Sequence, residues 1–376
     1  MAESKSVKVR NSSIELLRII SMLMIVFFHF CVDGGFKWQA SEVSIPHFWY
    51  NFISMGGKIG VDIFVIISGY FLISDNKTLN VKRILKFWGQ VFFYSASIFL
   101  IFTVSGIESI SLGSFVKSFL PITFVRWWFA STYFVLYLIH PFLNKFLNGL
   151  DKKEYQKLIV LLVICWSVIH TIFNKSYQSN ELLWFITLYA IAGYIRIYGL
   201  NSKFTTKHYF VFWLVLSVFV YGISAVFTVL GSKIGVFATH ITYFNEMQKI
   251  TAFLIALSLF MTFATLKMNY HKWINVIASA TFGVYLIHDN GILGKHLWLE
   301  WFKNSQYQHS LLLIPYSVVV VLLVYTVCTI IDLLRQYTVE KLFMKLVNEF
   351  SEKAIKPFEK IIDLLKSVIF GKDIKQ

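Results

Sequence analysis

Apolar residues fall along this chain in ten blocks separated by short polar stretches. They lie at approximately 13–32, 52–74, 87–105, 128–147, 158–173, 181–197, 209–230, 247–267, 274–292 and 311–334. A helix of about 20 apolar residues crosses a hydrocarbon core of about 30 Å. The pattern therefore predicts an all-α, polytopic membrane helix bundle of about ten transmembrane helices. The longest connections, 33–51, 106–127 and 293–310, are too short to hold a soluble catalytic domain. After the last block, "RQYTVEKLFMKLVNEFSEKAIKPFEK" alternates apolar and basic residues at helical spacing. Leu342, Leu346 and Phe350 share a face there, and Pro357 breaks the pattern in two. The expected organisation is a transmembrane domain over 1–334 and a basic amphipathic cytoplasmic tail over 335–376. That tail suits a position on the inner leaflet, with partner binding as the other reading.

Composition agrees with a membrane chain: 57% of the 376 residues are hydrophobic and 15% are charged, where a soluble protein carries about a quarter charged. The net charge of +15 would suit nucleic acid, but the placement of the charges argues for topology instead. With the N-terminus inside, about 25 of the 35 Lys and Arg residues fall in cytoplasmic segments and their span edges. This is the positive-inside pattern. It predicts an N-in, C-in protein of the plasma membrane, with basic loops against anionic headgroups and no nucleic-acid partner. The start, "MAESKSVKVRNSS", is polar and basic, and no small-residue cleavage site follows, so the first helix is expected to stay as an anchor. Cys31, Cys165 and Cys328 show no metal or redox spacing and read as buried thiols.

Chemistry enters with the first block, "ELLRIISMLMIVFFHF", which carries Arg18 near one end and His29 near the other. A charge at mid-membrane costs roughly 2.5–3.5 kcal/mol on insertion scales, so it has a partner or a task. Eleven residues at about 100° each return His29 to within roughly 20° of Arg18, about 16 Å further along the axis. One face thus presents a cation at one depth and a titratable base at another. Glu15 is a local partner for Arg18, and Asp33, one turn past His29, can orient its ring if the helix runs that far.

The second block, "GGKIGVDIFVIISGYFLIS", has glycines suited to close helix contact and a carboxylate, Asp62. Asp62 is either functional or a counter-ion to Arg18. Lys82, Arg83 and Lys86 follow in a cytoplasmic stretch, where they are inside-positive anchors or a clamp for the phosphates of a nucleotide-like molecule. Trp127 and Trp128 open the fourth block, as an aromatic belt or as faces for sugar rings. His288 and Asp289 close the ninth block at about the depth of His29, which makes an outer polar chamber.

These stretches, in this order, resemble the acyltransferase-3 family of integral-membrane acyltransferases, from about Arg10 to about Ile331. Arg18 and His29 fit the family's arginine, ten residues, histidine signature. "GVDIFVIISGYFLI" is similar to its second-helix segment, and "VKRILKF" to the basic segment that follows, with Lys82-Arg83 where an Arg-Arg pair is usual and Lys86 for the later arginine. "WWFASTYFVLYLIHPFLN" and "TFGVYLIHDN" look like signatures of Gram-positive members that act on capsular or exopolysaccharides. The resemblance implies O-acetyl transfer from cytosolic acetyl-CoA to a hydroxyl of a cell-surface polysaccharide or its lipid-linked precursor. His29, Arg18 and Asp62 would be catalytic, and Arg18, Lys82, Arg83 and Lys86 would hold the donor. Trp127, Trp128, His288 and Asp289 would face the acceptor, and no metal is expected. Other polysaccharide-assembly proteins are expected neighbours. No Gly-Asp-Ser motif of the SGNH-hydrolase kind is present, which tilts the expected acceptor towards a polysaccharide. The donor's arm threading from Arg18 to His29 is the expected route, with an acyl-enzyme relay, acyl-His29 included, as the alternative. A flippase of lipid-linked sugars is the rival from another class, although the paired inverted halves common in transporters are not apparent.

Overall fold

The computed structural model describes residues 10–75, 79–109, 111–175, 177–200, 203–349 and Leu364. Within that range every regular element is a helix. The first half of the chain forms α1 (Ser12–Val32), α2 (Ile45–Ser54), α3 (Gly56–Leu72), α4 (Val81–Val104), α5 (Leu112–Phe119), α6 (Trp128–Gly149), α7 (Lys152–Val163) and α8 (Ile169–Phe173). The second half forms α9 (Glu181–Tyr198), α10 (Thr206–Gly231), α11 (Gly235–Ala238), α12 (Ile250–Thr265), α13 (Lys272–Ser279), α14 (Thr281–His288), α15 (Leu293–Lys295) and α16 (Leu313–Arg335).

Among the described residues, eight helical stretches are long and apolar enough to cross a membrane, or nine if one bent pair counts as a span. The chain is a multi-pass membrane protein. Two features separate this from ten equal spans. The α6 helix has 22 residues, but its second half carries His140, Pro141, Asn144, Lys145 and Asn148, which lowers its hydropathy. The ninth expected span is broken: Lys272–His288 and Leu293–Tyr307 meet at 84°. Asn290 sets that break, because its Oδ1 accepts from the amides of Ile292 (3.0 Å) and Leu293 (3.1 Å) and so caps a new helical start.

The bundle is built around α1 and α3. These pack closely, and a Cβ on Gly60 would lie 2.7 Å from the Ser21 carbonyl oxygen. Further along α3, a Cβ on Gly69 would lie 2.9 Å from the Tyr189 Cα of α9. Both glycines therefore let backbone meet backbone, as their pattern in the sequence implied. Since Gly57 faces Phe28 and Gly60 faces Ser21, α3 runs antiparallel to α1. Its C-terminal end is held by Asn144 of α6, whose amide donates to the carbonyls of Leu72 (2.8 Å) and Asp75 (3.1 Å). By contrast α7 and α10 are largely exposed along their lengths and present apolar side chains such as Leu161, Val215 and Phe219 outwards, as lipid-facing helices do.

Asp332 of α16 ties that helix to α4. It is fully buried and accepts from Tyr94 Oη (2.7 Å), Arg335 Nε (2.8 Å) and Gln336 Nε2 (2.7 Å). The helix does not end with the last apolar block, and runs on through Glu349. The expected division at 334/335 thus falls inside one continuous helix, while Phe350 and Pro357 lie outside the described residues.

Candidate active site

Both ends of α1 are pinned, so the face carrying Arg18 and His29 has a fixed direction. At the start, Asn11 Oδ1 caps the helix by accepting from Ser13 N (3.1 Å), and Ser12 Oγ accepts from Asn275 Nδ2 (2.8 Å) of α13. At the finish, Asn304 Nδ2 donates to the Phe30 carbonyl (3.0 Å). Between them Arg18, Met22, Ile25 and His29 line one wall of a cavity of about 230 Å³. The other walls come from α3, α6 and α14, with Phe87 of α4. The single face read from the eleven-residue spacing is therefore the face of one cavity that reaches from Arg18 to His29.

At the His29 end three polar side chains meet. His29 Nδ1 lies 2.9 Å from His288 Nε2, and His29 Nε2 lies 3.5 Å from Asp289 Oδ1. His288 is fully buried, and its Nδ1 lies 2.6 Å from the Val284 carbonyl oxygen. A carbonyl only accepts, so His288 Nδ1 carries the hydrogen. Neutral His288 then offers a lone pair at Nε2, to which His29 Nδ1–H donates. This leaves the His29 Nε2 lone pair beside Asp289, on a side chain that is 12% exposed. A proton taken up at Nε2 would sit next to a carboxylate, so an imidazolium formed there has its counter-ion in place. The helix ends at Val32, and Asp33 is its cap rather than a further turn. The carboxylate nearest Nε2 is thus Asp289, delivered by the break after α14, with Asp33 beside it within 4.8 Å.

His29, Asp33 and Asp289 each bring a ligand atom within 4.8 Å of the others, a spacing compatible with one cation. With Nδ1 committed to His288, such a cation would have to take Nε2. At the other end of the cavity, Arg18 Nε stands 3.8 Å from Glu15 and makes no hydrogen bond, so among the described residues the guanidinium fork is open to a ligand.

With this geometry stands a match to the whole bundle: the family model described as an acyltransferase domain, that of the type-3 acyltransferases, covers residues 11–333. The chain belongs to the acyltransferase-3 family. No curated protein and no solved structure matches it. As a member of this family it is a membrane acyltransferase.

The remaining site residues divide between the cavity and elsewhere. Trp128 lines the cavity, whereas Trp127 is 2% exposed and packed in the core, with its indole N–H unpartnered. Trp127 is the cap before α6, in an extended conformation, and of the two only Trp128 lines the cavity. Asp62 is fully buried and accepts from Trp184 Nε1 (2.9 Å); it lies behind Val61, which lines the cavity, and makes no ion pair with Arg18. His288 stands behind His29 rather than in the chamber.

Lys82, Arg83 and Lys86 are exposed at the start of α4. Because α3 runs antiparallel to α1, they lie at the Arg18 end of the bundle. Arg83 pairs with Asp75 (2.9 Å) and Lys86 with Glu340 (2.5 Å). One cavity residue, Lys58 of the "GGKIG" stretch, was passed over in the sequence. Its signal was a cation inside an expected span, one turn before the carboxylate of Asp62.

Proposed function

We propose that the protein moves an acetyl or other short acyl group from cytosolic acyl-CoA to a hydroxyl of an extracytoplasmic polysaccharide or its lipid-linked precursor, at the plasma membrane. The observation that carries this is the one cavity lined by an open arginine at one end and an oriented histidine at the other. In this reading the chain crosses the membrane about ten times, N-in and C-in, with α6 and the broken α13–α15 segment among the crossings. The positive-inside bias then sets Lys82, Arg83 and Lys86 in the cytosol and His29 towards the outside. The basic cluster receives the phosphates of CoA, in exchange for Asp75 and Glu340. Arg18 holds the donor at the inner mouth, and the pantetheine arm threads along the α1 face. His29 Nε2 takes the proton of the acceptor hydroxyl, and Asp289 faces the imidazolium that forms. Trp128 offers an aromatic face to a sugar ring. No metal takes part.

Vesicles of defined orientation test this. Acetyl-CoA should be consumed only from the face bearing the 82–86 segment, with free CoA reappearing on that side. Acetyl ester should accumulate on a glycan confined to the other compartment. Transfer with both substrates on the side of the 82–86 segment would refute the trans-membrane arrangement. Movement of a sugar lipid without CoA release would favour a flippase instead.

A further inference from the structure

We infer that Lys58 is the catalytic group that holds the negative charge on the carbonyl oxygen while the acyl group changes hands. The inference rests on the acyl-transfer reading of the same cavity. Acyl transfer places a full charge on that oxygen, and stabilising it takes donors aimed there in advance. Loop enzymes use backbone N–H groups, but helix walls have bonded theirs to carbonyls a turn away. Past the first turn of α6, the donors must therefore be side chains. Ser68 and Thr281 line the cavity, yet their hydroxyls are committed to the carbonyls of Phe64 (2.8 Å) and Ala278 (2.9 Å), while the phenols of Tyr133 and Tyr285, which also line it, can add a hydrogen bond but bring no positive charge.

The cations lining the cavity are Arg18 and Lys58. Arg18 is about 16 Å of helix rise from His29. Lys58 is at the level of His29: its neighbour Gly57 packs on Phe28, and its ammonium stands 5.5 Å from the Phe28 ring centroid and 5.0 Å from that of Trp128. Among the described residues it makes no hydrogen bond and has no carboxylate within 4.0 Å; Asp62, Asp289 and Glu181 act on it only through space. Two ring faces thus hold a half-buried ammonium by cation–π attraction and leave its N–H donors to a ligand.

The step balances as follows. The acceptor oxygen attacks the thioester carbon and its proton passes to His29 Nε2. The carbonyl π pair moves to oxygen and is met by Lys58. When that pair returns, the C–S bond breaks, and the thiolate recovers the proton from Nε2. The products are an ester and free CoA thiol.

The test uses the full chain in nanodiscs, with acetyl-CoA and a mixed digest of cell-surface glycans, following free thiol with and without the digest. Lys58→Gln should lower kcat about 100-fold for transfer and for any thioester hydrolysis by water, with both KM values little changed. Lys58→Cys should fail likewise and recover after alkylation with 2-bromoethylamine, which rebuilds an ammonium at that length. That recovery also shows that the variant is folded. A kcat within threefold of wild type in Lys58→Gln, or no recovery in Lys58→Cys, would overturn the assignment. So would a rise in acceptor KM alone with hydrolysis intact, which would make Lys58 a reader of anionic sugars. Absence of thiol release from the wild-type protein would instead remove the acyl-transfer reading itself, and the assignment with it.

Discussion

Replacing His288 with phenylalanine tests whether the buried histidine sets the proton on His29. The ring volume is kept, while the acceptor 2.9 Å from His29 Nδ1 and the donor to the Val284 carbonyl both vanish. His29 Nδ1–H is then a largely buried donor without a partner, which costs roughly 1–3 kcal/mol. The imidazole relieves that cost by moving its hydrogen to Nε2, where it approaches Asp289, and in that tautomer the face towards the cavity no longer has a lone pair. The working tautomer must be recovered for each turnover, so the penalty appears in kcat as roughly a 5- to 150-fold loss. Donor KM should stay within about twofold of wild type, since Arg18 and the 82–86 segment are untouched. His288→Gln, whose amide oxygen can accept from Nδ1–H, should regain part of the loss. Steady-state release of CoA thiol, with thermal unfolding as a control for folding, reads all of these. A fully active His288→Phe variant, or one whose loss lies wholly in acceptor KM, would show that His288 does not orient His29.

Three further outcomes follow from the same cavity. Arg18→Lys keeps the charge but loses the planar fork, so kcat/KM for the donor should fall about tenfold or more; near-normal donor kinetics would mean that charge alone suffices. Neutralising Lys82, Arg83 and Lys86 together should raise donor KM more than acceptor KM. The gap should narrow in high salt because these charges are exposed, and a salt-independent change would argue against phosphate binding. Zinc at micromolar levels should inhibit by occupying Nε2 among His29, Asp33 and Asp289, whereas chelators should leave turnover unchanged; loss of activity on chelation, restored by zinc, would make the cluster a working metal site.

Much of this site was legible in the sequence because helices carry their own geometry. Eleven residues between Arg18 and His29 fix a shared face whatever surrounds it, and that face proved to line the cavity. The glycines of α3 likewise announced close packing. What the sequence withheld was contact between distant segments. His288 and Asp289 were expected at the depth of His29, but nothing local says that the histidine takes His29 Nδ1 while the neighbouring aspartate takes Nε2, neither of them lining the cavity. The break at Asn290 makes that difference, and its Asn-Gly signal was present in "HDNGIL". Trp127 and Trp128 could not be separated without knowing that α6 starts between them. Asp62 was weighed against Arg18 as a partner, whereas its partner is the indole of Trp184, 122 residues away.

The placement of these groups on their helices gives the cavity a polarity suited to the reaction proposed for it. His29 occupies the last turn of α1 and His288 the last turn of α14, where the negative ends of two helix dipoles favour positive charge. Trp128 is the first residue of α6, so a positive helix end adjoins the Lys58 side, whereas α3 continues the span begun by α2. Acyl transfer by a neutral base creates two opposite charges at once, an imidazolium and an oxyanion. Each helix end contributes about 0.3–1 kcal/mol where water can screen it, and more where it cannot. The dipoles are fixed before substrate arrives and need no reorganisation as charge develops. A carrier that only moves a sugar lipid across the membrane develops no such pair of charges and has no use for a field of this direction. The polarity of the helix ends therefore weighs, independently of the side chains, towards bond-making at the His29 end.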